Sequence, residues 1–408
     1  MRDDVVICNP VRTPVGVDGG QFKSLDAADL ATAAIAGLME RTGLAEGDVD
    51  DVVLGQCYPN GESPAIGRVA ALNAGLGVTT GGLQLDRRCG SGLQSILYAA
   101  LTVGAGWADT MVAGGAESMS QAEYYMLGAR EGTRKETIEL VSRIARGRVT
   151  AGGHNFPVPG GMLETAENVR AQYGVSRQAQ DEFALWSQRK AVAAQDTGVF
   201  EAEIVPVSTP ATRRTPERTI TTDEHPRRGL TMADLQRLKP LRLGIDPEAT
   251  VTPGNACGQS DGASVCVVTT RERAEHLGLR PMLRIVTSAV AGVPPGVMGI
   301  GPVPAVAKAL ERSHLTLADI DLIELNEAFA SQVLACITEW GLKDAELEEK
   351  FNVHGSGISL GHPAGATGAR ILTTLAHEMH RRQVRYGLET MCIGGGQGLA
   401  VIFERVQG

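Results

Sequence analysis

Residues 85–95, LDRRCGSGLQS, join a strand-like run to the start of a helical pattern. Beyond the last glycine of this stretch, apolar residues recur at steps of three and four, as on one face of a helix. Cys89 is therefore predicted at a strand-to-helix turn, where backbone N–H groups and the helix dipole favour the thiolate and lower the pKa of a thiol. Gly90 and Gly92 are predicted to leave room for a substrate to reach the sulfur. A buried structural cysteine is the alternative interpretation of this thiol by itself.

The composition is that of an ordinary globular protein. Its 408 residues exceed what one core usually organises, so two or three domains are expected. A net charge of -9 argues against a nucleic-acid-binding function. No apolar run of about 18 residues and no signal-peptide pattern occur, so we expect no membrane span. The 7 cysteines include no CxxC pair, which argues against a disulfide scaffold or a zinc site and favours a reducing cytoplasm.

Strand-like and helical patterns alternate along the chain, which predicts an α/β fold with a layered sheet. Strands are predicted at residues 5–8, 49–54 and 110–113. Asp26 is predicted to cap a helix that continues to Met39.

An internal repeat divides the chain. Residues 34–48 match residues 305–319 at a constant offset of 271, and residues 112–116 resemble residues 392–396 at an offset of 280. Two copies of one α/β unit are therefore predicted, the second with nine additional residues between these points.

A long polar segment, residues 121–246, separates the two copies. It contains turn signals and an amphipathic helix, predicted to be capped by Ser176 and to carry Phe183 and Trp186 on one face. Insertions of this length usually form a lid or a subdomain.

Three further stretches have the composition of active-site loops: residues 325–329 (LNEAF), 354–368 (HGSGISLGHPAGATG) and 391–398 (MCIGGGQG). A neutral imidazole at His362 would accept a proton from a thiol, and a turn histidine with structural hydrogen bonds is the alternative. Cys392 ends a predicted strand and is either a reactive thiol or a core residue. Asn326 either orients a water or a ligand carbonyl, or caps a turn.

Together these motifs resemble those of the thiolases. Four sequences typical of that family occur here in the family's order: CGSG before a helix, NEAF, GHPxG and CIGGGQG. The resemblance extends over nearly the whole chain, including residues 9–14 (NPVRTP) and 114–119 (GGAESM). It implies an α/β fold of the thiolase type, five-layered αβαβα, with a duplicated α/β half and an inserted loop domain.

The same resemblance implies a division into three parts. The N-terminal half spans residues 1–120 and is completed by about 247–272, residues 121–246 form the loop domain that binds CoA, and the C-terminal half spans residues 273–408.

The resemblance also implies roles for five residues. Cys89 is the nucleophile that becomes acylated, and His362 is its general base. Cys392 is the second acid/base, because a carbanion next to a thioester needs another base once the first thiol is acylated. Asn326, through a water, forms one oxyanion site with His362, and the backbone N–H groups of Cys89 and Gly394 form the other.

A basic segment is a candidate seat for the phosphates of coenzyme A. Between residues 213 and 242, eight basic residues outnumber four acidic ones, a local excess of four positive charges on a chain of -9. The eight are Arg213, Arg214, Arg218, Arg227, Arg228, Arg237, Lys239 and Arg242. Arg227 matches the CoA-contacting arginine of the family. The resemblance implies that Cys257, Met162 and Phe329 also contact CoA. A solvated surface without a ligand is the alternative.

The sequence departs from the family pattern at three places. Cys257 replaces a serine that hydrogen-bonds the pantetheine arm, and a thiol is a weaker partner. Residues 354–356 read HGS where the family has NGG. Gly161 stands where acetoacetyl-specific members carry a histidine, so we expect the pocket to accept acyl groups longer than acetyl.

We therefore predict a cytoplasmic thiolase that cleaves or forms 3-oxoacyl-CoA by a ping-pong mechanism through acyl-Cys89. CoA and acetyl-CoA are its predicted substrates, with no permanently bound cofactor or metal. The family's assembly implies a homodimer or homotetramer, without nucleic-acid or membrane partners. Three alternatives are an acetoacetyl-CoA-specific biosynthetic thiolase, a decarboxylating ketoacyl synthase, which uses a second histidine instead of a second cysteine, and a non-catalytic acyl-CoA or sterol-carrier-like relative.

Overall fold

The structure is a computed structural model of the chain and describes residues 4–132, 137–211 and 216–407. The strands are β1 (Val5–Arg12), β2 (Gly16–Val17), β3 (Asp51–Gly55), β4 (Gly81–Leu85), β5 (Thr110–Ser118), β6 (Tyr124–Tyr125), β7 (Val141–Ser142), β8 (Val207–Thr209), β9 (Arg218–Ile220), β10 (Ser260–Thr270), β11 (Pro281–Gly292), β12 (Leu322–Leu325), β13 (Tyr386–Ile393) and β14 (Gln397–Arg405). The helices are α1 (Ala27–Thr42), α2 (Ile66–Ala74), α3 (Ser91–Gly104), α4 (Arg143–Val149), α5 (Gly161–Tyr173), α6 (Arg177–Asp196), α7 (Met232–Gln236), α8 (Arg271–His276), α9 (Pro302–Ser313), α10 (Ala330–Trp340), α11 (Asp344–Lys350), α12 (Gly357–Leu360) and α13 (Thr367–Arg382). Short 3-10 turns lie at Arg88–Gly90, Ala129–Glu131, Pro295–Ile300 and Leu317–Asp319. Within the described ranges, no helix is both long and apolar enough to cross a bilayer.

The main sheet has two halves of the same design. Its strand order is β12-β13-β14-β11-β1-β10-β5-β3-β4, with β2 attached to β10. The two halves join where β1 pairs antiparallel with β11. Each half contains a parallel pair, β3 with β5 and β12 with β13, followed toward the junction of the halves by antiparallel strands. A parallel pair requires a crossover connection, so this topology explains why strands and helices alternate in both copies.

Five layers stack on one another in the order predicted. Helices α1 and α2 cover one face of the first half of the sheet. Helices α3 and α13 lie in the middle, where Leu93 and Leu372 share one core with Val53 of β3 and Val401 of β14. Helices α9 and α10 cover the far face of the second half. Leu93 and Leu372 are fully buried, and each contributes roughly 1.5–3 kcal/mol to this central layer.

The strand ladders correct one detail of the internal repeat. In the first half Asp51 faces Met111, and in the second half Leu322 faces Gly387. Met111 lies 60 residues after Asp51 and Gly387 lies 65 residues after Leu322, so the second copy gains five residues and not the predicted nine. The predicted match between the two glycine-rich runs was wrong because such runs resemble each other in several registers, whereas hydrogen bonding selects one.

Four elements extend beyond their predicted ends: β1 to Arg12, β3 to Gly55, β5 to Ser118 and α1 to Thr42, and β3 begins at Asp51 and not at residue 49. Strand β5 continues through its glycines because it is paired on both sides, with β10 and with β3. Helix α1 begins at the predicted cap, since Asp26 accepts the backbone N–H of Asp29 at 2.8 Å.

The inserted segment is held to both halves by buried polar contacts. Arg12 of β1 pairs with Glu203 at 2.6 Å and with Asp223 at 2.7 Å. Ser187 of α6 donates to the buried carboxylate of Glu327, just after β12, at 2.6 Å. Buried charges persist only where they are paired and hydrogen-bonded. These contacts therefore fix the segment over the junction of the two halves.

Candidate active site

A cavity of about 490 Å³ lies beneath the inserted segment, where loops of the two halves meet. It is lined by the turn before α3, by residues of α4 and α5, and by the loops that follow β12 and β13. Eight of the nine predicted site residues line it: Cys89, His362, Cys392, Gly394, Arg227, Cys257, Met162 and Phe329.

Cys89 lies in the 3-10 turn that immediately precedes α3, which is the predicted position. Burial raises the pKa of the Cys89 thiol, although the Arg88 guanidinium and hydrogen bonds from the N–H groups of Gly394 and Cys89 itself oppose that rise. The prediction of a lowered pKa was therefore wrong. The loss of hydration in the cavity outweighs the nearby donors, and this loss depends on residues far away in the sequence.

The glycines beside Cys89 serve the packing of the protein. A Cβ atom on Gly90 would lie 2.6 Å from Cδ1 of Ile393, and one on Gly92 would lie 2.8 Å from the carbonyl oxygen of Gly365. Neither glycine lines the cavity. The prediction that they open a path for the substrate was wrong, because β13 and the histidine loop occupy the space that a side chain would need.

His362 is held as a neutral ring. Burial, together with the positive charges of Arg370 and Arg148, lowers the pKa of its imidazole to about 3. Its Nδ1 lies 2.6 Å from Oγ1 of Thr367, and its backbone N–H donates to Oγ of Ser260 at 2.9 Å. Ser260 belongs to β10 of the first half, so a contact across the molecule positions the loop that carries the imidazole.

Asn326 takes a different position from the other eight residues. It is fully buried and does not line the cavity. Its Nδ2 lies 3.4 Å from Nδ1 of His362, and its Oδ1 has no protein partner in the described part of the chain. Asn326 therefore contacts the imidazole without reaching the cavity surface.

Cys392 ends β13 inside an apolar cluster. The cluster contains Met162 and Ala166 of α5, Met298 of a 3-10 turn, and Phe329 just before α10. Burial raises the pKa of the Cys392 thiol well above its usual value, and the nearby sulfur of Cys89 adds to the effect. The group is thus a protonated thiol, which is able to donate a proton to a carbanion.

The residues proposed for CoA lie along the same cavity. The backbone N–H of Cys257 donates to the carbonyl of Ala328 at 3.0 Å, and Ala256 forms a β-bridge with Phe329, so these two loops form one wall. Burial raises the pKa of the Cys257 thiol to about 12, which keeps it neutral.

Three of the six described basic residues of the basic segment form ion pairs with acidic side chains. Arg228 pairs with Asp196, Arg237 with Asp234 at 3.6 Å and Arg242 with Glu164 at 3.2 Å. Arg213 and Arg214 lie outside the described residues. Of the eight basic residues proposed for the CoA phosphates, Arg227 alone is among those described as lining the cavity.

Sequence reasoning did not single out several residues of the site. Thr367 and Ser260 hold His362, and the carboxylate of Glu117 accepts backbone N–H groups of Cys57 and Gly365 at 2.9 and 2.8 Å. Thr367 was visible in the histidine motif itself. The others lie on distant strands, and no local signal connects them with the loop they hold.

Arg148 of α4 also lines the cavity and was not predicted. It belongs to a polar helix whose sequence gives no sign of facing a site. Only the packing of the inserted segment brings this side chain to the cavity.

This arrangement suits acyl transfer. One thiol receives two N–H donors, a neutral imidazole lines the same cavity, and a second thiol is held protonated. The same N–H groups would stabilise an oxyanion formed next to the nucleophile. A dehydrated cavity strengthens each of these interactions.

Known proteins are similar to this chain in both sequence and fold. The family model described as the N-terminal domain of thiolase matches residues 5–272, and that of the C-terminal domain matches residues 279–405. The chain is 40% identical over 406 residues to the acetyl-CoA acetyltransferase of Allochromatium vinosum, with all of both chains covered. It is 44% identical over 407 residues to the beta-ketothiolase BktB of Cupriavidus necator, again with full coverage. The crystal structure of the Bacillus anthracis acetyl-CoA acetyltransferase matches with a TM-score of 0.92 and 40% identity, covering 99% of each chain.

Proposed function

This chain belongs to the thiolase family and is an acyltransferase, and we propose that it cleaves 3-oxoacyl-CoA by ping-pong transfer of the acyl group through Cys89. The reverse Claisen condensation with acetyl-CoA follows the same path backwards. The observation that carries this proposal is that Cys89, His362 and Cys392, from three distant loops, line one cavity.

In the first half of the reaction, Cys89 transfers its proton to His362 while the sulfur attacks the 3-oxo carbon. The N–H groups of Cys89 and Gly394 stabilise the resulting oxyanion. The C2–C3 bond then breaks, and its electron pair remains on C2 of the leaving acetyl-CoA. Cys392 donates its proton to that carbon, so acetyl-CoA leaves and the shortened acyl group stays on Cys89.

In the second half, a CoA thiol gives its proton to the Cys392 thiolate and attacks the acyl carbon. The tetrahedral intermediate collapses, and the Cys89 sulfur leaves as it regains the proton from His362. Both thiols and the imidazole return to their starting states. CoA is consumed as a substrate, and we propose that no resident cofactor or metal takes part.

Arg227, Cys257, Met162 and Phe329 are proposed to contact the CoA moiety, because all four line the cavity outside the reacting residues. Arg227 supplies the positive charge for a phosphate. Asn326 is proposed to form one oxyanion site with His362 through a water, and it lies next to that imidazole.

An acetoacetyl-CoA-specific thiolase is the second candidate, and Met162 favours it. The sulfur of Met162 would lie 3.4 Å from a Cβ atom placed on Gly394, so this side chain reaches the reacting centre and limits the space for an acyl chain. Gly161 favours the longer chains that are shortened in fatty acid β-oxidation, because it leaves the position of the family's histidine without a side chain. We propose that the protein acts on the longer acyl chains.

We also propose that the protein is an oligomer of at least two copies. Strand β4, which leads to Cys89, is the last strand of the sheet and pairs on one side with β3. Open edges of this kind recruit another strand. Leu101, on α3, is 62% exposed, which supports an apolar contact with a second copy. Light scattering of the intact protein and of Leu101→Glu tests this: a monomeric wild type contradicts it.

The division into an N-terminal half, a loop domain and a C-terminal half is kept as a proposal. It is supported by β10, which follows the inserted segment but pairs with β1 and β5 of the first half. A cytoplasmic, reducing location is proposed as well, because all seven cysteines are free and lie within the described residues.

The decisive experiment detects the acyl-enzyme. Wild-type protein is mixed with acetyl-CoA, and the peptide that contains Cys89 is analysed by mass spectrometry. An acetyl group on Cys89, removed again by added CoA, is the expected result, and Cys89→Ala should show none. A non-catalytic CoA binder would show no covalent acetyl group on the wild type. A thiolysis assay with 3-oxohexanoyl-CoA then establishes turnover.

A further inference from the structure

The cavity carries a charge that the proposed reaction does not use. Three arginines line it, Arg88, Arg148 and Arg227, and none of its described lining residues is Asp or Glu. The chain as a whole has a net charge of -9. The cavity therefore selects for negative charge in a protein that is otherwise acidic.

Two of these arginines have an assigned partner or role. Arg88 donates through Nη2 to the carbonyl of Gly147 at 2.9 Å. Arg227 is the proposed contact for CoA. Arg148 has neither a partner nor a role in the proposed reaction: no hydrogen bond or ion pair reaches its guanidinium from the residues that the structure describes.

Arg148 lies close to the reacting groups. Its positive charge is among the main influences that lower the pKa values of Cys89, Cys257 and His362, and the charge of Arg227 is not among them. Because such effects fall off with distance, Arg148 is the inner arginine and Arg227 the outer one.

The backbone around Arg148 lies against Gly161, whose missing side chain we expect to leave room for the acyl chain. A Cβ atom on Gly161 would lie 3.3 Å from Cβ of Arg148, and Gly161 has a φ of +60°, where side chains are strained. On the other side, Ile144 of the same helix packs against the cluster of Cys57, Tyr58 and Met119. Arg148 thus extends from the wall next to Gly161, the position at which acetoacetyl-specific relatives carry a histidine.

An unpaired guanidinium in a partly dehydrated cavity is stabilised when it binds an anion. Its planar donors match the two oxygens of a carboxylate, and such bonds are stronger than neutral ones. A purely aliphatic acyl tail would leave this charge without a partner and would gain nothing from it.

We infer that the acyl pocket takes 3-oxoacyl-CoA substrates whose far end carries a carboxylate, and that Arg148 binds this carboxylate. The inference rests on the proposed thiolase reaction and specifies its substrate class. Arg148 is a specificity residue that holds the end of the substrate away from the bond being broken.

The test compares two substrates of equal length, the CoA thioesters of 3-oxohexanedioic acid and of 3-oxohexanoic acid. The ratio of their kcat/KM values in thiolysis measures the preference for the carboxylate. Wild type is expected to prefer the dicarboxylic substrate. Arg148→Gln is expected to lower the ratio by about tenfold or more, since a hydrogen-bonded charge typically contributes about that factor. Arg148→Lys should restore part of it.

Arg146→Gln is the matched control. Arg146 lies on the same helix, is exposed and does not line the cavity, so its loss should leave the ratio as in wild type. If Arg148→Gln lowers kcat/KM for both substrates by one common factor, Arg148 contacts CoA or assists the thiolate, and the inference is overturned. A wild-type preference for 3-oxohexanoyl-CoA also overturns it while leaving the thiolase reaction intact. If neither thioester is cleaved, the proposed function itself has failed.

A second measurement needs no CoA substrate. Iodoacetate and iodoacetamide alkylate thiols alike but differ in charge, so the ratio of their rates at Cys89, followed by peptide mass spectrometry, reports the pull on a carboxylate. The ratio should fall in Arg148→Gln and stay unchanged in Arg146→Gln. An unchanged ratio in a folded Arg148→Gln variant would contradict the inference.

Discussion

Nδ1 of His362 lies 2.6 Å from the hydroxyl oxygen of Thr367, and that hydroxyl donates its own proton to the carbonyl of Pro363 at 2.9 Å. A hydroxyl has one proton to give, so Thr367 must accept a hydrogen bond from Nδ1–H. The lone pair of the neutral ring is therefore on Nε2. This is the tautomer that a general base for Cys89 requires.

Thr367→Val should remove that control of the tautomer. The side chain keeps its shape, but Nδ1–H loses its acceptor in a fully buried position. We expect kcat for thiolysis to fall by about tenfold or more with little change in KM, the range seen when a group that orients a reacting residue is removed. Thr367→Ser keeps the hydroxyl and should recover most of the activity. Equal losses in both variants would show that only packing matters here.

Cys89→Ala should abolish thiolysis and condensation alike. Residual turnover is expected to be below about one part in a thousand, since removal of a covalent nucleophile typically costs at least that much. Cys8→Ala removes a buried thiol outside the cavity and serves as the control for loss of a cysteine. Higher residual activity in a folded Cys89→Ala protein would mean that another group becomes acylated.

Cys392→Ala should separate the two halves of the chemistry. Cys89 should still be acetylated by acetyl-CoA, but no C–C bond should form, because no second thiol remains to exchange a proton with the α-carbon. Mass spectrometry of the Cys89 peptide and a condensation assay measure the two steps. A folded variant that fails to be acetylated contradicts this division of roles.

Chain length is expected to follow from Gly161. With no side chain there, 3-oxohexanoyl- and 3-oxooctanoyl-CoA should be cleaved with kcat/KM at least equal to that of acetoacetyl-CoA. Each buried methylene contributes about 0.8 kcal/mol of binding, which favours the longer chains until Met162 blocks the pocket. A tenfold preference for acetoacetyl-CoA, about 1.4 kcal/mol in transition-state binding, would restore the short-chain assignment.

Glu117 should make stability depend on pH. Burial raises the pKa of this carboxyl from 4.5 to about 7, against the opposing effect of the backbone N–H groups it accepts. The folded state therefore retains a proton that the unfolded chain releases, so the contribution is complete below about pH 4.5 and is lost as the pH rises to about 7. The free energy of unfolding in urea should fall over this range by up to about 1.4 kcal/mol per pH unit from this group.

Glu117→Gln cannot ionise and should lack this pH dependence. The free energy of unfolding of the wild type minus that of the variant should therefore decrease from pH 5 to pH 7. Glu123→Gln, in a half-exposed ion pair with Arg143, is the control and should leave the slope unchanged. An increase of this difference with pH would show that Glu117 is charged in the folded protein.

The family, the layered fold and the candidate reacting residues could be predicted from the sequence because their signals are local. The strand–turn–helix pattern around Cys89 needs only about ten neighbouring residues, and the helix cap at Asp26 needs only four. The repeat is equally a property of the sequence, although glycine-rich runs left its register ambiguous by four residues until the ladders of Asp51 and Leu322 defined it.

Tertiary structure alone decided the properties that depend on distant chain segments. The pKa of Cys89 is raised because the cavity dehydrates its sulfur, and Gly90 and Gly92 are required because Ile393 and Gly365 pack against them. The sequence by itself determined which residues are candidates for the chemistry, since side-chain type and local pattern are written in it. Solvation, close packing and the arrival of Arg148 at the cavity arise only when the inserted segment closes over both halves, because those effects depend on distances that the order of residues does not contain.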